Sequence, residues 1–499
     1  MTKKNQFILS IDQSTSATKV MLFDASANLV HRVSLAHHQF YPADGFVEHD
    51  AEEIYENTVS GMLQVLTATG KSASDLAVIS ITNQRETSLI WNRKTGKPIA
   101  NAAVWQCQRG KDFCKTLNDQ GYGPKIREKT GLIVDPYFSA SKLRWLINHV
   151  EGAKKSARKG DLLLGTIDSW LLWKLANGKV HATDFSNACR TMLFNINTLR
   201  WDDELIALFD LYPSMFPEVK YSDQIFGYTE PKVVFNKPVA IAGLLGDSHA
   251  ALFGQNCFEA GMAKATYGTG SSIMMNIGNE PVEAPPGLVT SVGYGRAGKI
   301  DYVFEGNIHC TGDTINWLVN DAELISNAAE SEQLALSVAD NNHVYFVPAF
   351  VGLGAPYWDN KARASISGMA RNTKKAHIVR AALESVAYQI KDLIDLIVEN
   401  SSIPFHEMRV DGGPTRNNFL MQFQCDMLRK KVVISNIEEI SALGASFMAG
   451  LACGLWKDLD EIKALRKADK IFHPEMPASE VGKLYEGWQL AVKRVRLTE

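Results

Sequence analysis

The stretch "FILSIDQSTSATKVMLFD" (7–24) limits what this chain can fold into more than any other segment. Four of the five residues before Asp12 are apolar, the run Asp12-Gln13-Ser14-Thr15-Ser16 follows, and Val20–Phe23 is apolar again. A buried strand therefore ends in a carboxylate, turns through small hydroxyl residues and re-enters the core as a second strand. The plainest reading is a hairpin whose Asp and Ser side chains bond the turn backbone. The sharper reading is a turn that holds Mg²⁺ and phosphate. In the second half of the chain, "AKATYGTGSSIMMNIG" (263–278) has the same plan of strand, small-residue turn and strand.

Between and after these two segments the periodicity alternates. Residues 29–37, 76–82 and 88–92 read as strands, and 51–69 has helical spacing with Ile54, Val59, Met62, Leu63, Val65 and Leu66 apolar. A second block of turn-rich strands starts near 239–247 and continues through 263–278 and 299–306. Helical runs follow at 312–338, 375–400, 415–430 and 441–456. Strands mixed with helices in both halves predict two α/β lobes, 1–253 and 254–499, each opening on a turn able to approach phosphate. No tandem short repeat interrupts this plan.

Composition removes several function classes. The 499 residues suffice for two or three domains. Lys plus Arg number 52 against 55 Asp plus Glu, and the net charge of −3 points to neither nucleic acid nor an anionic membrane. The basic run "GAKKSARKG" (152–160) reads as a solvated helix face. "MTKKNQFILSID" places two lysines before an apolar run, but Asp12 ends the run and no small-residue cleavage site follows, so a secretory signal is not expected. "SALGASFMAGLACGL" (441–455) is too short to span a bilayer and reads as a closely packed buried helix. Seven widely spaced cysteines without a C-x-x-C argue against a disulfide framework or zinc site, and suit a reducing cytoplasm.

Four turns share one chemistry: "DQST" (12–15), "GDSH" (246–249), "GTG" (268–270) and "DGG" (411–413). Glycine lets backbone approach a ligand, successive N–H groups can form an anion nest, and Asp at a strand end can reach a metal ion. Each turn alone is a weak signal. Neither G-x-x-x-x-G-K-[ST] nor G-x-G-x-x-G occurs, which removes the P-loop and dinucleotide fingerprints and leaves nucleotide binding through paired hairpins.

Longer segments carry a resemblance. "YFSASKLRWLINH" (137–149) and "ASISGMARNTKKAHIVRAALE" (364–384) resemble the two signatures of the FGGY carbohydrate kinase family. Within it the chain resembles the glycerol kinases from end to end, through "GFVEHD" (45–50), "ITNQRET" (81–87), "VWQCQR" (104–109), "TGLIVDPYF" (130–138), "RTMLFNI" (190–196), "GLGAPYWD" (352–359) and "RVDGG" (409–413). The resemblance implies a two-lobed α/β fold of the actin/hexokinase-type ATPase (ribonuclease H-like) class, with a cleft between the lobes. It implies transfer of the ATP γ-phosphoryl group to a primary alcohol, with ATP and Mg²⁺ required, and often a homodimer or homotetramer.

The residues implied are these. Asp247 matches the general base and, with Asp12, the carboxylates near the metal. Ser14, Thr15 and Ser16 match the first phosphate turn, and Thr269 the second. Gly312, Asn316, Gly413 and Asn417 match the surroundings of the nucleotide; an exposed polar helix position is an equal alternative for Asn316. Arg85, Glu86, Trp105, Tyr137 and Ser248 match the polyol site, where Arg donates to adjacent hydroxyls, Glu accepts, and Trp supplies an apolar wall. Without the resemblance, Arg85 and Glu86 would read as a local surface ion arrangement.

Three positions depart from the glycerol-kinase pattern. Ser14 stands where that pattern has glycine, so the first turn is expected to sit slightly differently. Ser248 stands in place of a substrate-contacting glutamine, and Ser272 in place of an aromatic opposite the Trp. A wider and more polar pocket is expected, refilled in part by His249 or by a longer acceptor such as a tetritol, erythrulose or a pentitol. The segment "TEPKVVFNKPVA" (229–240) lacks the glycines of a fructose 1,6-bisphosphate loop, and no histidine matches a phosphorylation site, so neither control is expected.

Overall fold

The computed structural model describes residues 6–435, 437, 439–466 and 470–496; the two lysines ahead of Phe7 lie outside them. Two large sheets organise the chain. The first contains β1 (Phe7–Gln13), β2 (Ala17–Phe23), β3 (Leu29–Ala36), β4 (Leu76–Asn83), β5 (Ile225–Tyr228) and β6 (Ala240–Gly246), in the order β5-β6-β4-β1-β2-β3. The second contains β7 (Met262–Tyr267), β8 (Ser271–Gly278), β9 (Val289–Arg296), β10 (Lys299–Ile308), β11 (Glu407–Gly412), β12 (Val432–Ile434) and β13 (Lys470–Phe472), in the order β9-β10-β8-β7-β11-β12-β13.

The two sheets follow one plan. β1 pairs antiparallel with β2 and parallel with β4, and β6 continues the parallel side. β7 pairs antiparallel with β8 and parallel with β11, and β12 continues the parallel side. The echo between 7–24 and 263–278 is thus the start of the same unit twice, the duplicated ribonuclease H-like arrangement expected of this fold class. The strand 240–246, read from sequence as opening the second block, instead completes the first sheet beside β4.

Helices form where the sequence supplies both stripe and caps. α1 (Ala51–Thr69) starts at Asp50, whose carboxylate accepts from the Glu52 N–H, and stops at Gly70 with φ of 61°. α2 covers Ser139–His149 and α3 Asp247–Gly254. The run 312–338 is two helices, not one: α4 (Gly312–Asn320) and α5 (Ala328–Leu336). Asn327 explains the break, because its side chain accepts from the N–H groups of Ala329 and Glu330 and starts a new helix. α6 (Lys375–Asn400) buries Val379, Leu383, Val386, Ile390, Leu393 and Ile397, a 3.6-residue stripe. α7 is Asn418–Leu428 and α8 Ile440–Ala452.

The alternation of each strand decides where the core sits. Leu9, Ile11, Val20 and Leu22 face one core of the first lobe, and Ala263, Ala265, Ile273 and Met275 face that of the second. The opposite faces, Ile8, Met21, Val78 and Leu245 from the first sheet and Met274 and Val303 from the second, meet in a shared layer with α3 and α8. α8, from the far end of the sequence, lies against α3, β4, β6 and β1, and Ser10 donates to the Ala442 carbonyl. A Cβ on Gly444 would lie 1.8 Å from the Ala250 carbonyl oxygen, so only glycine permits this helix crossing. Among the described residues, no helix is long and apolar enough to cross a membrane. All seven cysteines are free, and six are buried.

Candidate active site

Parallel neighbours β1, β4 and β6 end side by side, with Asp12 opposite Thr82 and Asn83 opposite Gly246. The residues at or just beyond these carboxyl ends converge on the cleft: Asp12 from β1, Arg85 and Glu86 after β4, Asp247 after β6. Carboxyl ends of parallel strands are the usual ligand edge of such sheets. Glu86 sits at φ of 62°, a conformation unusual for a non-glycine residue, held where its side chain enters a buried charge cluster.

That cluster is the most constrained part of the site. The Arg85 fork donates to both oxygens of Glu305, at 3.0 and 2.8 Å. Arg190 reaches Glu305 at 2.7 Å and donates to Glu86 at 2.6 Å and to Ser291 at 2.8 Å. All four charged side chains are buried, which excludes the surface ion arrangement as the reading of Arg85 and Glu86. Burial opposes ionisation of Glu305, but the Arg190 and Arg85 guanidiniums outweigh it and hold its carboxyl well below the usual range. Arg190 and Glu305 were not singled out from sequence. A lone carboxylate in the otherwise apolar "YVFEG" and a lone guanidinium in "ACRTMLF" were the available signals.

Asp247, the first residue of α3, lies 3.2 Å from Arg85 Nε and accepts from the Ser248 N–H at 2.6 Å, yet its side chain keeps 40% exposure. It is therefore oriented and still reachable. Asp12 is buried beside it. Burial pushes its carboxyl up to about 7; nearby Lys19 works against this and the Asp247 charge adds to it.

The indole of Trp105 meets the ring of Tyr137 edge-on at 5.6 Å, and its N–H donates to Thr15 Oγ1 at 2.9 Å. The aromatic pair expected to flank the acceptor and the turn expected to meet phosphate are thus directly tied. Burial, then the Glu86 carboxylate, push the Tyr137 phenol well above its ordinary value. Ser14 keeps a negative φ, and its N–H and hydroxyl both bond the Ala17 carbonyl at 2.9 Å, so serine closes the turn without left-handed backbone. Ser16 is exposed at the tip.

In the second lobe, Thr269, Gly312, Asn316, Gly413 and Asn417 all line one cavity of about 550 Å³ with Ile315, Leu383 and Leu420. The N–H groups of Thr311, Gly312 and Asp313 bond carbonyls of the 268–269 turn, and a Cβ on Gly312 would come within 2.5 Å of the Gly268 oxygen. A Cβ on Gly413 would meet nothing, which leaves open space along the backbone there. Asn417 also caps α7, accepting from the Leu420 N–H at 2.9 Å, and Asn316 is exposed on the rim.

Ser248 is half-buried on the first turn of α3. The Ser272 hydroxyl accepts from Lys264 Nζ at 3.4 Å. His249 is wholly buried against the charge cluster with neither ring nitrogen hydrogen-bonded. A second cavity of about 570 Å³ opens beside Tyr137, Arg190 and Glu305 and runs out to Asn307 and Trp358.

Known proteins match this arrangement. The FGGY family of carbohydrate kinases matches with its N-terminal domain over residues 7–254 and its C-terminal domain over residues 263–453. The chain belongs to this family. It is 50% identical to glycerol kinase 1 of Thermotoga maritima over 493 residues, 99% of this chain and 100% of that one. It is 47% identical to a glycerol kinase of Shewanella frigidimarina, covering 98% of both chains. A crystal structure of Plasmodium falciparum glycerol kinase with ADP aligns at TM-score 0.94 and 37% identity over 99% of both chains. A xylulose kinase of Lactobacillus acidophilus shares the fold at TM-score 0.88 and 22% identity over 99% of both chains. As an FGGY member the protein is a kinase, and its cleft is the place to seek phosphoryl transfer.

Proposed function

We propose that this FGGY kinase transfers the γ-phosphoryl group of ATP to a primary hydroxyl of glycerol. The observation that carries the reading is the convergence of Asp12, Arg85, Glu86 and Asp247 at three adjacent strand ends, in a chain whose other lobe holds a cavity of about 550 Å³. Kinship with glycerol kinases along the whole chain supports the choice of acceptor.

Arg85 and Glu86 hold adjacent hydroxyls of the acceptor, already fixed by Arg190 and Glu305, so little order is lost on binding. Trp105 and Tyr137 flank its carbon chain. Asp247 takes the proton of the terminal hydroxyl as its oxygen bonds to phosphorus, while the bond from phosphorus to the ADP oxygen breaks. Thr15 and Thr269, on the two turns, bracket the phosphates, and the cavity around Gly312, Asn316, Gly413 and Asn417 takes the nucleoside. Asp12 and Asp247 suit Mg²⁺: two neighbouring carboxylates, one of them with its ionisation suppressed by burial, gain from a divalent cation. When bound, Mg²⁺ neutralises phosphate charge.

A second reading keeps the fold and base but takes a longer polyol or ketose. It rests on Ser248 and Ser272, which bring no ring to the pocket, and on the open cavity beyond Tyr137. ADP release with Mg²⁺-ATP, measured against glycerol, dihydroxyacetone, erythritol, erythrulose, ribitol and xylulose, tests both. Glycerol is expected to dominate, and Asp247→Asn to lower kcat roughly 10²–10⁴-fold. A longer acceptor winning by a wide margin replaces glycerol in this assignment, and an unimpaired Asp247→Asn removes the base.

A further inference from the structure

Lys264 presents a buried charge with no counter-ion among the described residues. It lies on β7 and is 1% exposed. Its ammonium donates only to hydroxyls, Thr266 Oγ1 at 3.2 Å and Ser272 Oγ at 3.4 Å. Among the described residues no carboxylate comes within ion-pair distance of it. Burial lowers its proton affinity, opposed by Asp411. Lys142 is equally buried but differs: the carbonyls of Pro136 and Tyr137 serve its ammonium at 3.0 and 2.5 Å. A buried cation held by two long hydroxyl contacts is unfavourable unless an anion arrives.

The surroundings of Lys264 say which anion. Strand alternation puts Lys264 and Thr266 on one face of β7, and Ser272 pairs with Thr266 across the hairpin, two residues from the Gly268–Gly270 turn. Thr266 in turn donates to Asp411, two residues before Gly413 at the edge of the proposed nucleotide cavity. The charges of Arg85 and Asp247 from the other lobe, and of Glu305 from β10 of its own sheet, act on Lys264. The ammonium therefore sits on the hairpin whose turn is read above as facing the nucleotide phosphates, within electrostatic reach of the acceptor cluster and its base.

We propose that Lys264 donates a hydrogen bond to a non-bridging oxygen of the phosphoryl group as it passes from ATP to the acceptor. This rests on the phosphoryl-transfer reading above. The acceptor oxygen forms the new bond to phosphorus, the bond to the ADP oxygen breaks and its electron pair stays on ADP, and the acceptor proton goes to Asp247. Lys264 exchanges no proton; it supplies positive charge where the equatorial oxygens carry negative charge. Thr266 and Ser272 are positioning residues that keep the ammonium aimed.

Lys264→Met and Lys264→Gln, compared with the wild type, test this by steady-state kinetics and by calorimetric binding of ADP and of ADP with aluminium fluoride plus glycerol. The expected result is a kcat loss on the order of 10²–10³-fold with the glycerol KM changed less than about threefold. ADP affinity is retained, and the tightening produced by aluminium fluoride is lost. Retained tightening, or a kcat within about threefold of wild type, overturns the assignment. Should neither variant bind ADP, the wild type decides. In protein labelled with ¹⁵N at lysine Nζ, a buried ammonium resonance that moves with ADP–aluminium fluoride but not with ADP, and that Ser272→Ala perturbs, supports it; no such resonance overturns it. The binding arm needs no turnover, so its failure condemns Lys264 alone, whereas a wild type that phosphorylates no polyol condemns the reading beneath it.

Discussion

The two lobes build the same strand–turn–strand start from opposite materials. In the first, the turn is made of hydroxyls held by hydrogen bonds: Ser14 to the Ala17 carbonyl, Thr15 to the Trp105 indole. In the second, it is made of backbone, with Gly268 and Gly270 bonded to each other and the 311–313 backbone packed onto the 268–269 carbonyls. The strand ends diverge likewise. The first lobe gathers Asp12, Arg85, Glu86 and Asp247, and borrows Glu305 from the second sheet to balance them. The second lobe offers a cavity walled mostly by small and uncharged residues, with Glu332 and Arg416 as its charged members. One topology therefore serves two tasks. In the proposed function, charged side chains orient a small polar acceptor, and close-packed backbone leaves room for a large nucleotide.

Breaking the first lobe's charge balance is expected to have the largest effect on the fold. Arg85→Met leaves Glu305 with one guanidinium and Asp247 with none, at a cost of about 3–5 kcal/mol in unfolding free energy. Chemical denaturation checks this, and a change under 1 kcal/mol would mean the cluster is solvated. The backbone character of the second turn is sharpened by Gly312→Ala, whose methyl would push on the Gly268 carbonyl. ATP affinity is expected to fall about 10–100-fold, an effect of a few kcal/mol, with the glycerol KM little changed. Equal losses for both ligands would show that the two lobes are not separable in this way. The smallest effect concerns the boundary between the tasks. Ser272→Phe restores a ring near Trp105 and should raise preference for glycerol over erythritol about tenfold, within the range for one apolar contact. The ratio is the readout, because displacing Ser272 from Lys264 lowers turnover for both acceptors alike. An unchanged ratio sinks the role of Ser272 in acceptor size.

Much of the fold was legible because it is local. Alternation in 7–24 and 263–278 marks the two hairpins, and the stripes of 51–69 and 375–400 coincide with α1 and α6 to the residue. The split of 312–338 was missed, although the capping side chain of Asn327 carried its signal. The five residues expected on the nucleotide side of the second lobe come from three separate segments, and they meet because β7, β11 and the helices after them end at one edge.

By itself, the sequence determined the small-residue turns, the carboxylates at strand ends and the faces each strand buries, since these follow from residue type and a period of two or 3.6. Only the tertiary structure decided that Arg190 and Glu305, 104 and 220 residues from their partners, complete the charge cluster. It also brought α8 back onto the first sheet and left Lys264 with no counter-ion among the described residues. The reason is that a charge's environment is set by whichever distant segments exclude water from it, and sequence spacing carries no record of that.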